Sequence, residues 1–445
     1  MSGSKEKKIV RRKISYQKVF SIISAGFILA CILFYGGRFL KLYLENKKDV
    51  VENKNTLVQN LKNNYELNNI NNEYYLKEDE NKNYVLYSNI LWRIIKITNN
   101  GSVKLISDDV ISYLSYGETD YGKSEINTWL NNDDNNYSGI LENNLNNSSG
   151  FLTNDTICQD SINDTKHITC NDINNSNLIG SLSIFDYVNA GGKDSYLNIN
   201  KYFYLSTTNN EDNKVWYVND SGNVVSANGE DIYGIRPTIS LKSNIESIRG
   251  NGTIDDPYVI DEGGLFGSYV KLGNDLWRVY DVDDSSIKLM LDDYLKDNDG
   301  ENIMYKYSSK GYYHNDTVNG SLAYYLNHNY LNNLSYKKLI NKGMWANGIY
   351  GESNKYNYKE VLKTEVDTSV TVPSIGNIIL NGKLSDYFLS TGLSKSSTLV
   401  YTVKDNGTLY SKSSTSTSKV VPVISINKDI LTKGNGTSKS PYETE

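Results

Sequence analysis

The sequence predicts an α+β protein: an N-terminal transmembrane helix followed by two tandem, duplicated α+β domains. Three observations carry that expectation. The text YVLYSNILWRIIKITNNGSVKLISDD at Tyr84–Asp109 returns as YVKLGNDLWRVYDVDDSSIKLMLDD at Tyr269–Asp293, so that Trp92 and Trp277 lie 185 residues apart. Pro237 and Pro422, in YGIRPTISLK and KVVPVISINK, keep the same 185-residue spacing, and Gly250 and Gly434 in the phrase GNGT lie 184 apart. Finally, period-two apolar text with hairpin turns alternates with short stretches of helical spacing, a mixed pattern within each copy. A period near 180 is far above the roughly 20–50 residues of solenoid repeats, so whole domains are duplicated. They are placed at 83–261 and 266–445, joined by DEGGLFGS at Asp261–Ser268.

The ends are charged differently. Residues 1–18 carry seven basic side chains against Glu6, a net +6, which leaves −12 for the rest of a chain whose total is −6. An acidic remainder offers no basic face for phosphates, and no nucleic-acid partner is expected. The 37 tyrosines in 445 residues compensate for a modest aliphatic share, because buried rings supply core area.

Residues 1–18 read as a basic cytoplasmic tail. The charge-free run Val19–Gly37, closed by Arg38, is 19 residues long and would span about 28 Å as a helix, close to a bilayer core. A transmembrane helix over 19–38 is therefore expected, with the lipid bilayer as partner, the N-terminus inside by the positive-inside rule and the bulk of the chain extracellular. A cleaved signal peptide and a lipoprotein signal ending at Cys31 compete with this reading. No small-x-small site closes the run, and Leu29 stands where the lipoprotein box needs a small residue. Residues 39–80 are expected to form a helical stalk, since Leu44, Val51, Val58 and Tyr65 recur every seven residues. Lys47, Lys54 and Asn68 occupy the other seam, which favours a monomeric stalk over an oligomer built through it.

Within copy one, Asn99-Asn100-Gly101 predicts a hairpin turn, and Ser124 an N-cap for a helix carrying Ile126, Trp129 and Leu130. NGSLAYYLNHNYLNNL at Asn319–Leu334 takes the corresponding place in copy two. A second short helix is expected at Ser181–Gly192, with a counterpart near Val372–Gly382. DSG at Asp220–Gly222 and DNG at Asp405–Gly407 then turn late hairpins in the two copies.

LWRII, SEINTWLN, YFYLST, GIRPTISL and GNGTIDDPY together resemble a domain family of surface proteins in low-GC Gram-positive bacteria. That family carries a Trp-Arg strand, a WL helix and a closing G-[VI]-R-P strand, and no activity is assigned to it. The resemblance covers most of 83–261 and, more loosely, 266–445, where Val421 replaces Arg236. The order of elements is also similar to the C-type-lectin-like fold. These likenesses imply an extracytoplasmic module and no particular activity.

Chemistry-bearing constellations are sparse. Gly250-Asn251-Gly252 lacks the Gly-Lys-Ser/Thr of a phosphate loop and reads as a turn. Asp281–Asp292 has oxygen ligands at four positions of a calcium loop but Ser286 where Gly is required, and Asp297–Asn302 is a loose acidic turn. The calcium-lectin motifs Glu-Pro-Asn and Gln-Pro-Asp are absent. Cys158 and Cys170 fit a disulfide on an oxidising side of the membrane; His167 would complete only three of the four ligands zinc needs. His314 and His328 have no nucleophile setting. Trp92, Arg93, Trp277, Arg278, Pro237 and Pro422 read as repeat scaffold, with each Trp inside and each Arg outside or ion-paired. No enzyme activity, catalytic residue, metal or cofactor is expected. The expected function is adhesion or recognition of an extracellular or cell-wall ligand. The alternative is a structural or assembly component of the envelope, and after it an envelope-polymer enzyme with paired carboxylates.

Overall fold

A computed structural model of the chain describes residues 55–444, apart from 77–81, 134, 159, 164, 166–168, 212, 310–315, 352–355 and 395–396. The basic tail, the apolar run 19–38, most of the expected stalk, His167 and His314 lie outside the described residues. Among the described residues no helix is long and apolar enough to cross a membrane. The fold is mixed α+β, rich in strands and poor in helix.

The duplication is written into the sheets. In copy one the strands Ile179–Ser181, Pro237–Leu241, Val103–Ser107, Ile90–Ile97, Tyr84–Tyr87 and Tyr258–Val259 lie side by side in that order. In copy two Val370–Thr371, Val423–Asn427, Ser286–Leu291, Asp275–Val282, Tyr269–Leu272 and Tyr442–Thr444 repeat it. Both copies add a late hairpin, Phe203–Asn209 with Lys214–Val218 and Phe388–Gly392 with Leu399–Val403.

The GNGT phrase closes each copy. Tyr258 pairs in parallel with Val85 of the first strand, and Tyr442 with Val270, so the last strand of each copy is clasped to its first. The carbonyl of Gly252 accepts from Tyr84 N and that of Gly436 from Tyr269 N, both at 2.8 Å. Gly250 and Gly434 have φ of +99° and +86°, and an added Cβ would fall 1.8 and 2.0 Å from the carbonyl oxygens of Pro257 and Pro441. Only glycine fits both the backbone angle and the approach. Gly250→Ala and Gly434→Ala are each expected to destabilise by about 2 kcal/mol or more, read as a shift in urea midpoint.

The strand Ile90–Ile97 is buried along nearly its whole length. Both of its faces are covered, so of the two settings expected for Arg93, outside or ion-paired, it takes the second. Trp92 is fully buried, with Nε1 donating to the Tyr87 carbonyl. Arg93 is buried too: it lies over the rings of Tyr84 and Tyr196 and pairs with Asp108 at 3.3 Å. Arg278 is half-buried over Tyr269 and donates to the carbonyls of Gly267 and of Asn89 in copy one. Pro237 opens its strand opposite Ser181, and Pro422 directly precedes the matching strand, where neither interrupts a ladder.

Helices follow their caps. Ser124 caps Glu125–Leu130 and Ser183 caps Ile184–Asn189. The expected counterpart near 372–382 is a turn, not a helix, because Gly376 sits at φ +90°. The helix expected within Asn319–Leu334 is present at Leu322–Asn333, and its middle, Tyr325–Tyr330, is π-helical.

The stalk pattern resolves differently from a continuous helix. Helix spans Leu57–Asn64, capped by a Thr56/Gln59 box, and the chain then turns into the hairpin Leu67–Ile70 and Glu73–Leu76. Leu57 and Leu61 are buried against copy one, and Leu57 N donates to the Ile245 carbonyl, so this face is taken by the chain's own core.

The two copies share buried surface. One cluster of core side chains runs from copy one into Tyr350, Tyr358, Ile375 and Tyr401 of copy two, while a second surrounds Trp277 within copy two. Polar groups are matched across the junction: Trp129 Nε1 donates to the Gly376 carbonyl at 2.9 Å, and the Tyr350 hydroxyl to Ser115 Oγ at 2.8 Å.

Candidate functional site: a cleft present in both copies

A bulge falls at the same place in both copies, between Ile94 and Lys96 and between Val279 and Asp281. Bulges re-aim the side chains that follow them. In copy one the result sets Lys96 opposite Lys104, and in copy two Asp281 opposite Lys288. The same sheet position therefore carries two cations in one copy and an ion pair in the other.

Two lysines facing each other repel unless anions stand between them. Asp186, held by its Ser183-capped helix, does so: its Oδ1 lies 2.7 Å from Lys96 Nζ and its Oδ2 3.1 Å from Lys104 Nζ. Asp155 lies 3.4 Å beyond Lys104, accepting from Thr238 and Ser240 hydroxyls at 2.6 Å. Glu73 reaches Lys96 at 2.7 Å from the N-terminal hairpin, and Tyr75 donates to Asp186 at 2.9 Å. Lys104 and Asp155 are fully buried. Burial alone would raise the Asp186 pKa, but Lys96 and Lys104 outweigh it and hold the carboxyl well below the usual range. Burial likewise opposes charge on Lys104, yet Asp155 and Asp186 hold its pKa up at about 12. The Tyr75 phenol is pushed up by burial, then by Asp186 and Glu73.

Lys96 and Asp186 of this network line a cleft of about 140 Å³, roofed by Ile70, Asn71 and the hairpin strand of Glu73 and Tyr75, with Lys104 and Asp155 buried behind them. Its rim is the short strand pair Ile157–Cys158 and Ile173–Asn174, stapled by the Cys158–Cys170 disulfide. Copy two has a cleft of about 230 Å³ in the equivalent place, with Asp281 and Lys288 in its wall. Asn377 takes the place of Asp186: each follows its serine by three residues, and the intervening Ile184 N and Ile375 N donate to Thr207 and Thr391 hydroxyls alike. The roof comes from copy one, where Asn144 accepts from Val282 N at 3.0 Å and donates to Asp281 at 3.3 Å. The rim is Gly343–Ala346 paired with Glu365–Thr368 over four positions, a longer ladder that stands without cysteine.

Comparison of the chain with protein-family models, curated proteins and solved structures finds no match.

Of the residues singled out in the sequence, Cys158 and Cys170 border the copy-one cleft, while Trp92, Trp277, Pro237 and Pro422 pack in or beside the sheets. The acidic turns serve their own backbone. Asp283 accepts from Ser285 N, Ser286 N and the Ser286 hydroxyl, and Asp297 from Asp299 N and Glu301 N. His328 stacks on Tyr324. Sequence reasoning passed over Lys96, Lys104, Asp155, Asp186, Glu73 and Tyr75. The available signal was a pair of lysines in otherwise apolar strands, LWRIIKI and VKLIS.

The disulfide closes a separation of 12 residues, for which chain entropy gives about 2–3 kcal/mol. Reduction of the intact protein is expected to lower its urea stability by that amount. A Cys158→Ser, Cys170→Ser double variant should no longer respond to reductant.

Proposed function

We propose that this chain is a single-pass, membrane-anchored bacterial surface protein. Its duplicated domains, which we read as C-type-lectin-like, face outward and recognise a ligand of the cell envelope or of another surface. The observation that carries this reading is the recurrence of one cleft in both copies, roofed by different segments and walled by different charges. A repeated cleft whose roof, rim and wall charges differ between copies fits two related binding sites on one scaffold. Two weak sites on one chain gain avidity when both engage a single target. The disulfide suits an oxidising compartment outside the cytoplasm. Burial of Leu57 and Leu61 in copy one weighs against assembly through those residues of the stalk.

The test has two arms. A C-terminal epitope on the full-length chain should be labelled on intact cells; labelling only after permeabilisation would defeat the topology. Purified full-length protein in detergent micelles should be retained by isolated cell-envelope polymer, and retention no greater than that of an empty micelle control would defeat recognition.

A further inference from the structure

The arginine of each Trp-Arg strand has an aspartate as its diagonal neighbour on the next strand. Asp108 N donates to the Leu91 carbonyl and Asp292 N to the Leu276 carbonyl, so the two aspartates hold equivalent positions beside Arg93 and Arg278. In copy one the pair is closed, with Arg93 Nη1 3.3 Å from Asp108 Oδ1. In copy two it stands open. Arg278 is drawn to neutral oxygens: Nε donates to the Gly267 carbonyl, Nη1 to the Tyr269 hydroxyl and the Leu380 carbonyl, and Nη2 to the Asn89 carbonyl. An Nη2 hydrogen is left over for a ligand. Asp292 is half-buried, and its carboxylate accepts no hydrogen bond and joins no ion pair among the described residues. Burial raises its pKa, with Arg278 and Lys383 opposing the rise and Asp293 adding to it.

Both groups stand in the wall of a cavity of about 270 Å³ where the two copies meet. It shares no lining residue with either cleft described above. The other charges in its lining are accounted for. Asp108 is held by Arg93, and Asp109 by Lys201, whose Nζ lies 2.7 and 2.8 Å from its two oxygens. Lys383 is exposed and forms no ion pair among the described residues. Much of the remaining wall is aliphatic, with Ile90, Leu91 and Val110 from copy one and Leu380 and Leu384 from copy two.

A cation and an anion that line one cavity without meeting favour a ligand carrying both charges, because each wall group then gains a charged partner. Aliphatic walls suit an apolar substituent, and a volume just under the roughly 300–1,000 Å³ of drug-sized sites suits a small molecule. We infer that the junction cavity binds a free α-amino acid with an aliphatic side chain, its carboxylate on Arg278 and its ammonium on Asp292. This site goes beyond the envelope recognition proposed above and does not depend on it.

The experiment titrates full-length protein in detergent micelles with L-leucine by calorimetry. Parallel titrations use isoamylamine, which lacks the carboxylate of leucine, and isocaproate, which lacks its amine. Leucine should bind saturably, and each half-ligand about tenfold more weakly or less. Asp292→Asn removes the charge of a side chain that makes no hydrogen bond among the described residues. It should weaken leucine about tenfold, leave isocaproate binding as it was, and keep the urea midpoint equal to or above that of the parent. Absence of saturable leucine binding, half-ligands that bind as tightly as leucine, or an Asp292→Asn variant that binds leucine as tightly as the parent would each overturn the inference. Retention by envelope polymer is measured separately, so failure of leucine to bind leaves the recognition reading standing.

Discussion

Asp186→Ala is expected to destabilise the protein by about 3–5 kcal/mol, because it leaves Lys96 and Lys104 buried with their shared counter-ion gone. Neither lysine can turn to water: their side chains are 5 % and 0 % exposed. Equilibrium urea unfolding of the full chain measures the effect, and a loss below about 1 kcal/mol, the range of an exposed pair, would show that the network contributes nothing special. The pH dependence has a definite sign. Asp186 has a folded pKa below its unfolded value near 3.9, so its contribution is present above about pH 4 and is lost as pH falls toward the folded value. Lys104 has a folded pKa raised to about 12, so its contribution is complete below roughly pH 10.4 and is lost as pH rises through the folded value. Asp186→Ala should therefore flatten the acid limb of the stability profile.

Trp92→Ala and Trp277→Ala should each cost about 3–5 kcal/mol, since both rings are fully buried at the centres of separate core clusters. Replacement by Phe separates the two sites. Trp92 Nε1 donates to the Tyr87 carbonyl at 3.1 Å, whereas Trp277 Nε1 is buried with no partner among the described residues. Phe at 277 removes an unsatisfied donor, and Phe at 92 removes a made bond. The Trp277→Phe variant should be the milder by about 1 kcal/mol in urea unfolding, and equal losses would contradict the assignment.

These two predictions sit on opposite sides of what the sequence discloses. Trp92 and Trp277 were legible because a repeat compared with itself marks its scaffold, and strand alternation puts a large ring inside. Ser124 and the GNGT turns were legible for a similar reason: caps and positive-φ turns are chosen by residues within a few positions of each other. Arg93 takes the ion-paired setting of the two expected for it, with Asp108, while its burial under Tyr196 was not legible because no local pattern states what covers the second face of the sheet. The helix expected near 372–382 was lost to Gly376, whose left-handed backbone ends it before it begins.

Among the described residues the heptad text is helical over Leu57–Asn64 and then turns into a hairpin. Leu57 and Leu61 do lie on one helical face, but their partners are core residues of copy one rather than another stalk. Periodicity identifies an apolar face and leaves open what covers it. The cleft was hidden more completely. Lys96 is joined by Asp186, 90 residues onward, and by Glu73, 23 residues before it, contacts that only folding creates.

By itself, then, the sequence determined the duplication, the positions of the matching strands and the glycine turns that close each copy, because these depend on short-range sterics and on comparison of the chain with itself. Tertiary structure alone decided which polar groups meet. Pairing buried charges requires the low-dielectric interior that forms when distant strands and helices pack. That packing lined the cleft of copy one with a buried ion network and that of copy two with a single ion pair.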